Sequence, residues 1–336
     1  MKVDDLRYDL PESAIAQAAI EPRDSARLLD TRDTTDHVFT ELPELLEPGD
    51  LVVINDTKVR RARLKGRKAG TGGVVEILVL GGNEDGTWSA MIRPARRARP
   101  GTVIEVGDVG VVVVDGPRDG VVRLEIGSDD VEDLLERAGE MPLPPYFHGD
   151  LEDDRRYQTI FARAPGSAAA PTAGLHFTQD VVDGLTRRDI PMARVDLHVG
   201  IDTFRPIAVE DIGDHRMHSE WCSVPVETAT AVEETRGRGG RVVAVGTTTT
   251  RALESLGRPD GLVKSGGMDT DIFLRPGSPF TVVDLMVTNF HVPGSTLIAM
   301  IAGFMGEGWR RAYRHALESG YRFLSFGDAM LCERQR

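Results

Sequence analysis

Apolar and polar positions change rhythm along this chain. From about residue 58 to 127, short runs rich in valine and isoleucine recur between glycine turns: GVVEILVLGG, TWSAMIRP, GTVIEV, VGVVVVDG and GVVRLEIG. Runs of this length and spacing predict a small antiparallel barrel or sandwich. Asp129 or Asp130 then caps a short helix, VEDLLERAG, and the proline-rich GEMPLPPYF reads as an extended connection.

Beyond residue 150 the texture changes. Thr178 caps a helix, QDVVDGLTRRD, and the strand MARVDLHVG follows. A second helix, ETATAVEETRGRGG, leads to RVVAVGTTTT and the helix RALESLG. Next come TDIFLRPG, VVDLMVTNF, the helices STLIAMIAGFMG and WRRAYRHALES, and a last strand, YRFLSFGDAML. Alternating strands and helices predict a largely parallel α/β main domain. The strand DLVVIND near residue 50 belongs with it. Residues 1–57 and 150–336 are therefore assigned to one discontinuous α/β domain, and residues 58–149 to an inserted antiparallel β-barrel.

Composition adjusts this picture only a little. A chain of 336 residues suits two domains at roughly 150 residues each. The longest apolar helical run, TLIAMIAGFM, falls short of the roughly 20 residues of a membrane span. MKVDDLRYDLPES lacks the apolar centre of a signal peptide, so a cytoplasmic protein is expected. Cys222 and Cys332 are the only cysteines, too few for a disulfide framework or a cysteine zinc site.

The net charge of −13 argues against non-specific coating of nucleic acid and fits a monomer. Positive charge is nonetheless concentrated in KVRRARLKGRK and RPARRARPG. Charge alone favours solvated strand ends there, with a phosphate-contacting patch as the alternative.

In parallel sheets, ligands sit at the carboxyl ends of strands. Those ends carry His198 and Gly200 before TFRP, then GTTTTR, RPG, TNFH and FGDAM. Polar groups placed by a rigid sheet predict a convergent pocket, hence an enzyme. In GTTTTR, Thr248 or Thr249 caps a helix whose free N–H groups suit an anion, a carboxylate as well as a phosphate. A plain helix cap explains the same run. HRMHSE spaces His215 and His218 by three, unlike the usual helical zinc motif, and suits acid–base work or ring recognition better. A structural histidine pair is its other reading. In APTAGLHFT, small residues flank Thr172, His176 and Thr178, which fits either a helix entry or part of a site.

Taken together, the motifs resemble one family, the S-adenosylmethionine:tRNA ribosyltransferase-isomerases of the queuosine pathway. The resemblance rests on YDLPESAIAQ, EPRDSARLL, LVVINDTKV, GEMPLPPYF, RRYQTIFA, GSAAAPTAGLHFT, DLHVGIDTFRPI, HRMHSEWC, VVAVGTTTTRALES, TDIFLRPG, LMVTNFHVPGSTL and YRFLSFGDAM, in family order over almost the whole chain. It implies transfer of the ribosyl part of S-adenosylmethionine to 7-aminomethyl-7-deazaguanine in tRNA, giving epoxyqueuosine, adenine and methionine. It also implies an α/β domain with an inserted β-barrel. No metal or prosthetic group is expected, and S-adenosylmethionine serves as co-substrate.

Such chemistry needs a base for a proton beside the sulfonium, an acid for adenine and a grip on the methionine carboxylate. The expected proton carriers are His218 with Glu220, and Asp271 or His291. Expected substrate contacts are Thr172, Gly174, His176, Phe177, His198, Arg205, Thr247, Thr248, Arg251, Asn289, Phe290 and Asp328. Among them, the GTTTTR helix start with Arg251 is expected to take the carboxylate, and Phe177 and Phe290 to face the sulfonium or adenine. Arg60, Arg61, Arg96 and Arg97 become the expected tRNA contacts.

Two positions depart from the family pattern. Gly294 stands where lysine is usual in TNFHVPGSTL, and Asp202 where glycine is usual in IDTF. Both make the local charge more negative. They keep open a free small-molecule acceptor in place of tRNA, alongside an inactive S-adenosylmethionine-binding protein.

Overall fold

The computed structural model describes residues 1–118, 120–149, 151, 153–163, 165–200 and 207–335. The chain enters with β1 (Arg27–Asp30), β2 (Thr35–Val38), a short turn of helix α1 (Leu42–Leu45) and β3 (Leu51–Asn55). It continues through β4 (Lys58–Val59), β5 (Arg63–Lys68), β6 (Val74–Gly82), β7 (Trp88–Arg93), β8 (Val103–Val106), β9 (Val109–Arg118) and β10 (Val121–Ile126). Helix α2 (Val131–Ala138), β11 (Gly139–Glu140) and β12 (Pro165–Ser167) complete that stretch. Then follow α3 (Gln179–Arg187), β13 (Met192–Leu197), β14 (Glu220–Val224), α4 (Val226–Gly237), β15 (Val242–Val245) and α5 (Thr247–Ser255). The last elements are β16 (Gly266–Thr270), β17 (Leu285–Asn289), α6 (Thr296–Met305), α7 (Gly308–Glu318) and β18 (Ala329–Glu333).

Two compact units result. The larger holds residues 1–57, 144–164 and 170–336, and the smaller holds 58–143 and 165–169. The boundary drawn from the sequence at 149 thus differs from the observed one. The proline-rich stretch from Pro144 onward packs with the large unit, while β12 pairs in parallel with β4 and stays with the small one.

The large unit carries a nine-stranded mixed sheet in the order β16-β14-β13-β3-β15-β17-β18-β1-β2. Its centre, β13-β3-β15-β17, is parallel. Antiparallel pairs border that centre, β14 and β16 on one side and β18 on the other. Every residue of β3, β15 and β17 is buried, so their sequences run apolar without alternation until the polar residues at the carboxyl ends of β3 and β17, Asn55 and Thr288–Asn289.

Three segments depart from the sequence reading. The strand expected in TDIFLRPG ends at Thr270, before most of that run. Of YRFLSFGDAML, only the part from Ala329 is strand, preceded by a turn with Leu324 at φ +71°. The strand β14 falls partly on HRMHSEWC, which polar residues had marked as a motif rather than an element.

In the small unit, β5-β6-β7-β10-β9-β8 form a sheet that closes on itself through β5 and β8, a six-stranded antiparallel barrel. Alternating residues such as Leu64, Ile77, Ile92, Ile104, Val111 and Leu124 fill its interior. Closure needs glycine at position 66, because a Cβ there would stand 2.6 Å from Ile104 Cγ2 and 2.8 Å from the Glu105 carbonyl. Helix α2, capped by Asp130, contributes Val131, Leu134 and Leu135 to the same core. Among the described residues no helix is long and apolar enough to cross a membrane.

Candidate active site

The parallel strands β3, β13, β15 and β17 end at one edge of the large sheet. Because β18 runs antiparallel to β17, with Asn289 opposite Ala329, the residues before β18 reach that edge too. FGDAM therefore arrives there as the start of a strand, not as the end that the sequence suggested. Two helices also begin at this edge. Gly246, at φ +92°, turns the chain from β15 into α5, and Ser295 caps α6 by accepting from the Ile298 N–H.

A cavity of about 570 Å³, counted to its open mouth, lies between these helix starts. Gly246, Thr247 and Thr248 form one wall, residues 170–173 a second, and Thr288 to Val292 a third. Leu324 and Ser325 close it together with Tyr146. The Tyr146 hydroxyl is 2.6 Å from Ser325 Oγ, and burial pushes the phenol up to about 12, so it stays a proton donor.

Asn289 organises the polar side of this cavity. Its Oδ1 accepts from Thr172 Oγ1 at 2.8 Å, and its Nδ2 donates to His176 Nε2 at 3.1 Å and to the Asp328 carbonyl at 3.2 Å. An Asn amide donating to Nε2 requires that nitrogen to be unprotonated, leaving the other ring N–H for the Arg23 carbonyl. Burial, with the Arg322 charge adding to it, lowers His176 to about 4. The imidazole is neutral at physiological pH.

His291 is also neutral. It is buried in the cavity wall, and burial lowers it to about 3. Its Nε2 lies 2.9 Å from Thr288 Oγ1, its backbone N–H donates to the Tyr313 hydroxyl at 3.0 Å, and its carbonyl accepts from Tyr8. Along α5, Thr249 and Thr250 hydroxyls bond back to the carbonyls of Val245 and Gly246. Neither Thr248 nor Thr249 acts as the helix cap. The Thr248 hydroxyl is buried without a partner in the cavity wall, beside the unpaired N–H groups of the first helical turn.

The structure brings together Thr172, Thr247, Thr248, Asn289, Phe290 and His291, all of which line the cavity. His176 joins them through Asn289. Other expected site residues do different work. Phe177 is fully buried in the core between Phe39 and Phe161, so it faces no ligand. Phe290 presents a lining position, but its ring packs on Phe323 and Tyr313. A Cβ at Gly174 would lie 3.0 Å from Thr159 Cγ2, so this glycine serves packing.

Asp328 accepts from the backbone N–H groups of Arg27 at 3.0 Å and Arg322 at 2.7 Å, which spends its carboxylate on the loop. Glu220 is buried, accepts from the Gly200 N–H at 2.6 Å and pairs with Arg251. That contact replaces both the expected His218–Glu220 proton pair and the expected grip of Arg251 on a carboxylate. Arg251, on α5 itself, is buried, and burial lowers it to about 10. His218 and Asp271 are exposed and do not line the cavity. His198 stacks at 4.9 Å on Trp221 and lies 3.3 Å from Asp196. Arg205 and Asp202 lie outside the described residues.

Sequence reasoning missed Tyr146 and Ser325. The signal for Tyr146 was its place in GEMPLPPYF, where the proline content suggested only a connection.

In the barrel, Arg60 is only 17% exposed, with its guanidinium 3.2 Å from Glu132. Arg61 donates to the Gly139 carbonyl at 2.8 Å. Both serve the barrel's own structure, unlike Arg96, which is exposed. The Arg97 side chain lies outside the described residues.

A mixed α/β sheet whose carboxyl edge gathers a helix start and two neutral imidazoles about one cavity has the arrangement of an α/β enzyme site. A family model described as queuosine biosynthesis protein matches residues 3–332. The S-adenosylmethionine:tRNA ribosyltransferase-isomerase of Symbiobacterium thermophilum is 48% identical, over 98% of this chain and 99% of that protein. Its counterpart from Rubrobacter xylanophilus is 49% identical, over 98% and 97%. The crystal structure of an S-adenosylmethionine tRNA ribosyltransferase from Thermotoga maritima superposes with a TM-score of 0.55 at 36% identity, covering 97% of this chain and 99% of that one. The chain belongs to the S-adenosylmethionine:tRNA ribosyltransferase-isomerase family of queuosine biosynthesis. The relatives' names do not favour the small-molecule acceptor or the inactive binder that Gly294 and Asp202 had kept open.

Proposed function

We propose that this chain transfers and isomerises the ribosyl part of S-adenosylmethionine onto 7-aminomethyl-7-deazaguanine in tRNA, releasing adenine and methionine and leaving epoxyqueuosine. The observation that carries the reading is the unpartnered Thr248 hydroxyl beside the free N–H groups of α5, in the wall of the cavity that Asn289 and His291 also line. These groups suit the methionine carboxylate. The neutral imidazole of His291 lines the same cavity, within reach of a sulfonium whose carboxylate is held there.

Loss of a proton from the carbon beside sulfur converts a sulfonium cation into a neutral ylide. A neutral His291 that takes this proton becomes a cation, so total charge in the cavity is conserved. Burial, which opposes creating charge, opposes such a transfer far less. As the ribose opens, adenine leaves as a base that needs a proton or a hydrogen bond, and Tyr146 is a protonated donor for it. The acceptor amine then adds, and a ribose oxygen displaces methionine as the epoxide closes. Thr172 and Asn289 orient the sugar.

The test is one incubation with S-adenosylmethionine, with and without precursor-bearing tRNA, following free adenine and methionine. Release only when tRNA is present supports the proposal. Release without tRNA, or none in either tube, overturns it.

A further inference from the structure

The stretch EPRDSARLL has no part in the cavity just described. It nevertheless places Arg23 in a second cavity, of about 270 Å³, together with Arg156, His176 and Ser325. Ser325 lines both cavities, and the His176–Asn289 hydrogen bond links them. All of these residues belong to the large unit.

The charges here are unusual. Arg23 donates to the carbonyls of Gln158 at 2.7 Å and Arg155 at 3.0 Å, which fix its plane without neutralising it. Burial and then the Arg156 charge disfavour its cation, with the Glu21 and Asp153 carboxylates acting the other way. Arg156 donates to the Ile20 carbonyl at 2.7 Å and pairs at 2.8 Å with Glu21, a carboxylate 67% exposed. Arg322 adds a third positive charge that acts on His176, and its own partner Asp328 is 3.5 Å away. Arg23 and Arg156 thus line one cavity beside a histidine kept neutral, and the carboxylate paired with Arg156 there, Glu21, is largely exposed to solvent. Guanidinium forks match phosphate oxygens in geometry and charge.

Resting on the proposed tRNA acceptor, we infer that the Arg23–Arg156 cavity holds a backbone phosphate of the acceptor strand, next to the nucleotide undergoing reaction. The phosphate displaces Glu21 from Arg156 as it enters. It anchors the strand while the modified base enters the neighbouring cavity through the side of Ser325.

The test is tRNA binding measured against salt concentration, in the full-length protein. Arg23→Gln and Arg156→Gln should each weaken binding and lower the log–log salt slope by about 0.7–0.9. Arg23→Lys should keep the slope while losing part of the affinity. Glu21→Gln removes an exposed competitor and should tighten binding, a result that a purely structural arginine pair does not give. Unchanged slopes in Arg156→Gln, together with no gain in Glu21→Gln, overturn the inference even if Arg23→Gln fails to fold. A rise in the KM for S-adenosylmethionine with tRNA binding intact also overturns it, by assigning the cavity to the carboxylate. Inorganic phosphate that shifts the His176 resonance without competing with tRNA would do the same, by assigning it to free phosphate. Binding requires no turnover. Absence of adenine release would therefore sink the proposed function without deciding this site, and unmoved slopes with intact turnover would sink this site alone.

Discussion

The Nδ2 atom of Asn289 stands 3.1 Å from Nε2 of His176, so one amide fixes both the tautomer of a buried imidazole and the hydroxyl of Thr172. Asn289→Ala removes the partner of the Thr172 hydroxyl, of His176 Nε2 and of the Asp328 carbonyl at once. The expected cost is about 1–3 kcal/mol of stability for the groups left unpaired. Adenine release is expected to fall about a hundredfold through lost positioning. Denaturant unfolding and adenine release measure the two effects separately, and a variant with full turnover would remove Asn289 from the site.

Two buried neutral histidines set the acid side of the stability curve. His176 and His291 are lowered by burial from about 6.5 to about 4 and about 3. In the unfolded chain both charge near 6.5, so between there and about pH 4 the unfolded state binds more protons than the native one. Their stabilisation is complete above 6.5 and is lost as pH falls toward the folded values. At pH 5 the pair should give a slope of roughly 2–3 kcal/mol per pH unit, from nearly two protons taken up on unfolding. Urea unfolding from pH 7 to 4.5 checks this, and His291→Gln should halve the slope near pH 5.

Thr248 offers a cleaner separation of binding from folding. Its hydroxyl has no protein partner, so Thr248→Val should leave stability nearly unchanged. The KM for S-adenosylmethionine should rise about tenfold, corresponding to about 1.4 kcal/mol of lost hydrogen bonding. A KM that stays at the wild-type value would mean that α5 does not receive the carboxylate.

Glu220 and Arg251 test the reassignment of two expected site residues. The pair is buried at 8% and 4% exposure, so Glu220→Gln leaves an uncompensated guanidinium inside the protein. A loss of about 3–5 kcal/mol is expected, with much of it recovered in the double variant Glu220→Gln/Arg251→Met. Thermal unfolding of wild type and the two variants decides the point. A stable Glu220→Gln protein that has lost only catalysis would restore Glu220 to proton transfer.

Legibility from the sequence followed the range of the interactions. GTTTTR and TNFH were readable because a strand end beside a helix start is a local pattern, and Thr248, Asn289 and His291 do lie together. Asp328 was misread because its partner, the Arg27 N–H, lies 301 residues away in sequence. Phe177 follows a histidine in a loop-like run, yet Phe39 and Phe161 enclose it from separate segments. His218 and Glu220 are neighbours along the chain. The strand β14 begins between them, burying the carboxylate and leaving the imidazole outside.

The barrel separates two kinds of arginine that charge alone does not. Arg60 holds Glu132 and has its Nε buried without a partner, while Arg96 is exposed on the segment after β7. Arg60→Ala should therefore lower stability by about 1 kcal/mol, through lost packing and a lost pair, with little effect on the salt dependence of tRNA binding. Arg96→Ala should leave stability unchanged and, if the barrel meets RNA through this segment, reduce the salt slope by about 0.7–0.9. Measuring both variants at 50 and at about 200 mM salt distinguishes the cases, this being the range over which phosphate contacts change affinity most visibly. Equal slopes in wild type and Arg96→Ala would return RPARRARPG to a merely solvated turn, since an exposed guanidinium that touches a phosphate must release a counterion when it binds.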